Sequence, residues 1–309
     1  MPKMTSGVYG RSSNLRDQTR RMLNRTGKIL ESTVENYIVS DSFTRGAAIA
    51  FYSVTSLIPV LVIVIAVAGL AFGEGTARVA IVRELAALIG SDSAKLIQGA
   101  IESAYNSGSN RFALVVGSII LALTVSGVFA ELQSALNAIW KVDDRMFSLA
   151  RLIRGRAVSI GLVVGLGFLL LVSLVIDAGV SATSGYVDQH VRYGAMFLVA
   201  LNTAISFVLT WTLFAAIYKV LPDKPLHWRD VVFGALVTAI AFEGGKTLIS
   251  VYLGASTVIS SYGAAGALAS ILLWIYYSAQ IFLLGASFTK ACAISDHRRR
   301  GQERAHAPL

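Results

Sequence analysis

The stretch AAIAFYSVTSLIPVLVIVIAVAGLAF, residues 47–72, holds no charged side chain over its whole length. A helix of that length is about 39 Å long at 1.5 Å per residue, and about 20 apolar residues suffice to cross a hydrocarbon core about 30 Å thick. No charged residue interrupts the run for the length a crossing needs. Five more stretches read the same way: 112–130, 157–176, 193–218, 231–254 and 263–289, the fifth of the six being interrupted by Glu243 and Lys246. The expected fold is therefore all-α, a polytopic membrane bundle of six transmembrane helices.

Composition agrees. The chain has 309 residues, 55% of them apolar and 15% charged, with a mean hydropathy of +0.64, the profile of a membrane protein rather than of a cytosolic enzyme. Its net charge of +9 would suggest nucleic acid on a soluble protein. Here the basic residues flank the apolar runs instead of forming one face. Anionic lipid head groups at the basic ends are the expected partners, with no nucleic acid. A homo-oligomer is the other association considered.

The distribution of Lys and Arg also orients the chain. Residues 1–46 hold eight, the 131–156 connection five, the 219–229 connection three, and the segment from Lys290 onward five; the alternate connections hold four, one and none. Basic loops are retained inside, so a bias of 21 against 5 places both termini in the cytoplasm. The expected layout is a basic cytoplasmic segment at 1–40, a six-helix domain at 41–293 and a basic cytoplasmic tail at 294–309. The long polar N-terminal region does not have the early apolar core of a cleavable signal.

The first outward connection has a pattern of its own. Apolar residues recur at Val79, Val82, Leu85, Ala86 and Ile89, then at Leu96, Ile97 and Ile101. They predict two amphipathic helices broken at Gly90-Ser91-Asp92 and lying over the outer end of the bundle. The second span is expected to continue as a helix through Glu131–Val142, with Trp140 as a depth anchor. Gly161 with Gly165 and Gly69 with Gly73 have the four-residue spacing that lets helices approach closely.

Chemistry is sparse. The single cysteine, Cys292, excludes disulfides within the chain, and the four histidines are scattered without the spacing of a zinc site. With no phosphate-cradling glycine loop either, the reading is a non-enzyme with no cofactor and no metal. Asp143-Asp144 could hold magnesium for phosphodiester chemistry, but an interfacial acidic turn accounts for them better, as interface positions account for Asp177 and Glu131. Glu243 is the exception: counted from Asp230 it lies ~20 Å along the fifth span, and Lys246, three residues on, shares its helix face. Intramembrane ionisable groups are functional candidates by default. Glu243 and Lys246 are thus the first candidates for contact with a substrate head group or a coupling proton, against a neutralised pair that only fixes packing. Pro59, mid-way along the first span, should kink it. Asn202, with Ser206 and Thr210, forms a polar stripe on the fourth span, as Ser53, Thr55 and Ser56 do on the first. Asp41 and Arg45, one turn apart, are read as a pair that orients the start of the first span, with a cytoplasmic gate as the alternative.

Several segments together resemble the YihY/virulence factor BrkB family. They are residues 45–59 (RGAAIAFYSVTSLIP), 136–140 (LNAIW), Leu221-Pro-Asp223 with Trp228 and Gly234-Ala235, and 262–266 (YGAAG) leading to 272–276 (LLWIY) and Leu284-Gly-Ala286. The resemblance covers roughly residues 35–293. It implies a bacterial inner-membrane protein of six helices, with Glu243 and Lys246 at positions where the family often has Glu and Lys. Some members carry a ribonuclease label and others a virulence label. The reading carried forward is a transporter or flippase-like protein for a lipid or other amphiphile. The alternatives are a non-transporting, virulence-associated envelope scaffold and, remotely, a ribonuclease.

Overall fold

The computed structural model describes residues 26–107, 127–142, 194–255 and 263–305. These form helices α1 (26–39), α2 (Ser42–Phe72), α3 (Glu74–Ile89), α4 (Ser91–Ser107), α5 (127–140), α6 (Gly194–Val220), α7 (Trp228–Ala255) and α8 (Gly263–Ala305). No strand occurs among the described residues. Four helices contain segments long and apolar enough to cross a membrane: Ser42–Leu70, Ala200–Val220, Trp228–Ile249 and Ala265–Ser295. They are the first, fourth, fifth and sixth stretches expected from the sequence. The third stretch lies outside the described residues, as do Gly161, Gly165, Asp143, Asp144 and Asp177; of the second, only residues 127–130 are described, at the start of α5.

The spans pack in a row, α2 against α8, α8 against α7 and α7 against α6. α8 is 43 residues long, about 65 Å at helical rise, roughly twice a hydrocarbon core. Large apolar side chains such as Leu70, Leu248 and Val251 are 90%, 68% and 66% exposed. Surfaces of that kind are ordinary against lipid and an aggregation hazard in water.

Apolar side chains gain little by leaving lipid for a neighbouring helix, so contact between spans depends on close backbone approach. The α7–α8 crossing is built this way from two matching pieces. Gly234 and Thr238 lie one turn apart on α7, Gly285 and Thr289 one turn apart on α8, and each glycine receives the other helix's threonine. A Cβ added at Gly234 would lie 1.9 Å from Thr289 Oγ1, and one at Gly285 2.0 Å from Thr238 Oγ1. Both hydroxyls are buried, and each donates to a carbonyl one turn back, Thr238 to Gly234 (2.8 Å) and Thr289 to Gly285 (2.7 Å). The hydroxyls thus carry no unpaired polarity into the crossing. Tyr218 of α6 locks onto the same place, its hydroxyl donating to the Phe282 carbonyl at 2.6 Å and lying 3.2 Å from Thr238 Oγ1.

At one end of the row the chain turns twice on single glycines. Gly73 (φ 82°) joins α2 to α3 and Gly90 (φ 85°) joins α3 to α4, conformations that side-chain-bearing residues rarely adopt. α3 and α4 pack on α2 and α8, with Ile89, Ile97 and Ile101 buried against Ile65 and Ile271. α2 runs unbroken through Pro59. At the opposite end lie α1, α5, the 221–227 connection and the C-terminal half of α8.

Gly234→Ala and Gly285→Ala should each lower stability by about 1–3 kcal/mol, the usual cost of overpacking. Gly244→Ala, where an added Cβ meets nothing within 4 Å, should be neutral or gain up to about 1 kcal/mol. Denaturant titration of the detergent-solubilised protein checks this, and equal effects at all three sites would contradict the interlock.

Candidate functional site

Glu243 and Lys246 meet as expected from their spacing, Lys246 Nζ standing 2.7 Å from Glu243 Oε2. They extend the row that begins at Ala239, at i+4 and i+7, on the flank of α7 turned to α6. That flank is defined by Phe242, whose ring meets Phe214 edge-on at 5.4 Å, and by the Val232 carbonyl, which accepts from Trp211 Nε1 at 3.0 Å. The pair is not sealed between helices; the two side chains keep 35% and 33% of their exposure. Directly beside it, toward the α5 end, Phe214, Tyr218, Phe242 and Phe282 close into an aromatic plug with ring separations of 5.1–6.3 Å. On α6, Thr210 and Ser206 continue at i−4 and i−8 from Phe214, half-buried, with Asn202 one turn further.

The other candidates are distributed differently. Pro59 is half-buried in α2, and α2 packs chiefly on α8 and α3 while α6 packs chiefly on α7, so Pro59 and Asn202 belong to separate parts of the row. Asp41 and Arg45 are joined through the backbone, the Arg45 N–H donating to the Asp41 carbonyl at 3.1 Å. Their side chains part. Asp41 sits in the left-handed region (φ 53°) and takes a hydrogen bond from Thr44, which makes it the corner between α1 and α2. Arg45 reaches α5, lying 3.5 Å from Glu131 and donating to Ser134 Oγ at 2.9 Å.

That contact opens onto a polar junction which sequence reasoning did not find. Asn137 of α5 and Asp223 of the 221–227 connection grip each other reciprocally: Asn137 Nδ2 donates to Asp223 Oδ2, and the Asp223 N–H to Asn137 Oδ1, both at 2.9 Å. Gln133 adds a third bond to the same carboxylate at 3.2 Å. α5 then ends in a Schellman turn, with Lys141 left-handed (φ 51°) and Val142 N–H bonded to the Asn137 carbonyl. Lys290, counted in the sequence among the basic residues of the tail, is instead buried in α8. It caps α5, donating to the Ile139 carbonyl (2.5 Å) and to Asn36 Oδ1 (2.7 Å). Lys224 covers the Trp140 ring at 5.8 Å and Lys219 that of Trp228 at 5.6 Å. Tyr37 of α1 donates to Gln280 Oε1 of α8; burial, with a smaller push from Tyr276, holds its phenol up at about 12, so it remains a neutral donor. No group of three or more His, Cys, Asp or Glu side chains converges among the described residues.

The segments 136–140 and 221–223, far apart in sequence, are thus two halves of one clamp, and residues 33–308 match the profile of a family described as virulence factor BrkB. The chain belongs to the virulence factor BrkB family. Relatives of this BrkB protein are named UPF0761 membrane proteins. One from Ralstonia nicotianae is 32% identical over 262 residues, covering 80% of this chain and 54% of its own. One from Janthinobacterium is 32% identical over 186 residues (59% and 41%), and one from Rhodospirillum centenum 25% over 288 (90% and 61%). The chain spans about half the length of the curated relatives it matches. No solved structure matches it. The matched span contains both the charged pair and the junction of this BrkB chain. A glycine followed four residues later by threonine, repeated on two consecutive spans, was a readable signal for the α7–α8 interlock. Nothing local in the sequence joins Asn137 to Asp223.

A double-mutant cycle on Asn137→Ala and Asp223→Ala should return a coupling of about 1 kcal/mol, since the bond the two side chains share, from Asn137 Nδ2, is to a carboxylate. Thermal unfolding in detergent measures it, and additive effects would show that the clamp does not form.

Proposed function

We propose that this BrkB protein is a transporter or flippase-like protein for a lipid or other amphiphile, with Glu243 and Lys246 as its polar contacts and the Phe214–Tyr218–Phe242–Phe282 plug as the barrier on the α5 side. The observation that carries the reading is the position of the pair: two opposite charges on a helix apolar enough to span, one third exposed, next to a dry aromatic layer.

Magnitudes favour a functional role over packing alone. A charge at the centre of a spanning helix costs about 2.5–3.5 kcal/mol even on insertion scales. An i,i+3 pair on an exposed helix returns about 0.2–0.5 kcal/mol. Low dielectric strengthens the attraction, but two charged residues remain a costly way to hold α6 and α7 together when Phe214 and Phe242 already meet there. A zwitterionic or anionic head group passing along this flank would meet a cation and an anion 2.7 Å apart, with the hydroxyls of Thr210 and Ser206 on the facing helix. Both termini then lie on the cytoplasmic side of a bacterial inner membrane, as the basic connections indicate. α8 continues as a helix to Ala305, beyond the apolar segment ending at Ser295, and this projection supports the second reading, a scaffold that recruits partners on that side.

Proteoliposome assays of fluorescent phospholipid exchange test the proposal. Glu243→Gln and Lys246→Met should each reduce exchange at least about tenfold while the protein stays folded. The swapped double variant, Glu243→Lys with Lys246→Glu, keeps an ion pair and should stay impaired; full recovery would assign the pair to packing alone. Loss of function on deleting residues 297–309, with exchange unaffected by any of these changes, would favour the scaffold.

A further inference from the structure

Helix α1, residues 26–39 (TGKILESTVENYIV), has its polarity reversed relative to a soluble surface helix. The residues it turns toward the bundle include Thr33, Asn36, Tyr37 and Ser40 at its end, and two of them, Asn36 and Tyr37, tie it to α8. Tyr37 donates to Gln280, Asn36 accepts from Lys290, and Ser40 Oγ lies 2.9 Å from Ser42 Oγ. Its large apolar residues point away: Leu30, Val34 and Ile38 are 55%, 52% and 60% exposed. At 100° per residue these three, spaced i, i+4 and i+8, form one stripe along the side of the helix. Lys28, Glu31 and Glu35, all exposed, occupy the sector beyond it. The helix thus has three sectors: a hydrogen-bonded side toward α8, an apolar side, and a charged side facing away from the bundle.

We propose that α1 lies in the plane of the membrane interface, its Leu30–Val34–Ile38 stripe covered by lipid acyl chains and its Lys28–Glu31–Glu35 side in the head-group layer. Four observations select lipid as the occupant. Asp41, in the left-handed conformation, turns the chain so that α1 cannot continue along the axis of α2, yet leaves it beside the start of the span at Ser42. Phe43, 57% exposed on the first turn of α2, meets the Tyr37 ring edge-on at 5.0 Å, so α1 is held against the start of a span whose own apolar surface is uncovered there. Trp228 is 59% exposed at the same end, under Lys219, the arrangement of an aromatic residue at interfacial depth. The division into apolar and charged sectors is that of an amphipathic helix half-sunk at the acyl boundary. A second copy fits less well, since a stripe three side chains long falls far short of the roughly 800 Å² per partner of a stable interface. The inference needs only that the protein is embedded in a bilayer and stands whether or not it moves a substrate.

The test uses the full chain with Cys292 replaced by Ala, single cysteines at Val34, Ile38, Glu31 or Glu35, and a bimane label on each, reconstituted in phosphatidylethanolamine/phosphatidylglycerol vesicles. Lipids carrying a doxyl group near the head of the acyl chain should quench labels at 34 and 38 at least twofold more than labels at 31 and 35, and aqueous iodide should show the opposite order. Iodide quenching as strong at 34 and 38 as at 31 and 35 would overturn the proposal by placing the stripe in water. Protection of 34 and 38 from both quenchers would overturn it in favour of a protein partner or a second copy. A label at Leu30 repeats the test if either stripe variant unfolds below the parent protein's temperature.

Discussion

The α7–α8 crossing is the contact on which the rest of the described structure hangs. Within lipid there is almost no solvent to expel between apolar helices, so two spans adhere only where their backbones come close enough for many weak contacts to form at once. Gly234 and Gly285 make that approach, and Thr238 and Thr289 fill the space the missing Cβ atoms leave. Because the arrangement is reciprocal, it sets the lateral position and the register of the two helices together. Tyr218 reads that register through the Phe282 carbonyl, and so places α6. The aromatic plug of Phe214, Tyr218, Phe242 and Phe282, and the charged pair beyond it, are consequences of this alignment.

The same physics shapes how the polar groups of the spans find partners. Within the spans Thr238, Thr289, Ser270 and Ser278 donate to carbonyls one turn back, so these four hydroxyls need no partner from another helix. At the α5 end, where water and head groups are within reach, side chains bond between elements instead. Arg45 with Glu131, Asn137 with Asp223, and Lys290 with the last turn of α5 join four pieces of chain that apolar packing alone would leave free to slide. Glu243 and Lys246 depart from this division, which is why they stand out as candidates for chemistry rather than for architecture.

By itself the sequence determined what depends on composition and on spacing along one helix. Runs without charge mark three of the four spans in the described regions, the fifth stretch being the one that carries charges; the i,i+3 spacing makes Glu243 and Lys246 neighbours; and Gly90 announces a corner, whereas Gly73, read with Gly69 as a close-approach pair, proved a corner only in the structure. Which flank of α7 the pair occupies, and what stands beside it, was decided by the packing of three helices together. Arg45 appeared tied to Asp41 by local spacing, yet a turn of helix away in sequence was no match for Glu131 brought up from another element. Lys290 read as one more basic residue of a tail until α1 and α5 closed over it, and α1 read as part of a basic N-terminal segment until Asn36 and Tyr37 proved to be bonded to α8. Sequence periodicity reports which side of a helix is greasy; only the tertiary structure decides whether that side meets protein or lipid, because in a membrane both are apolar.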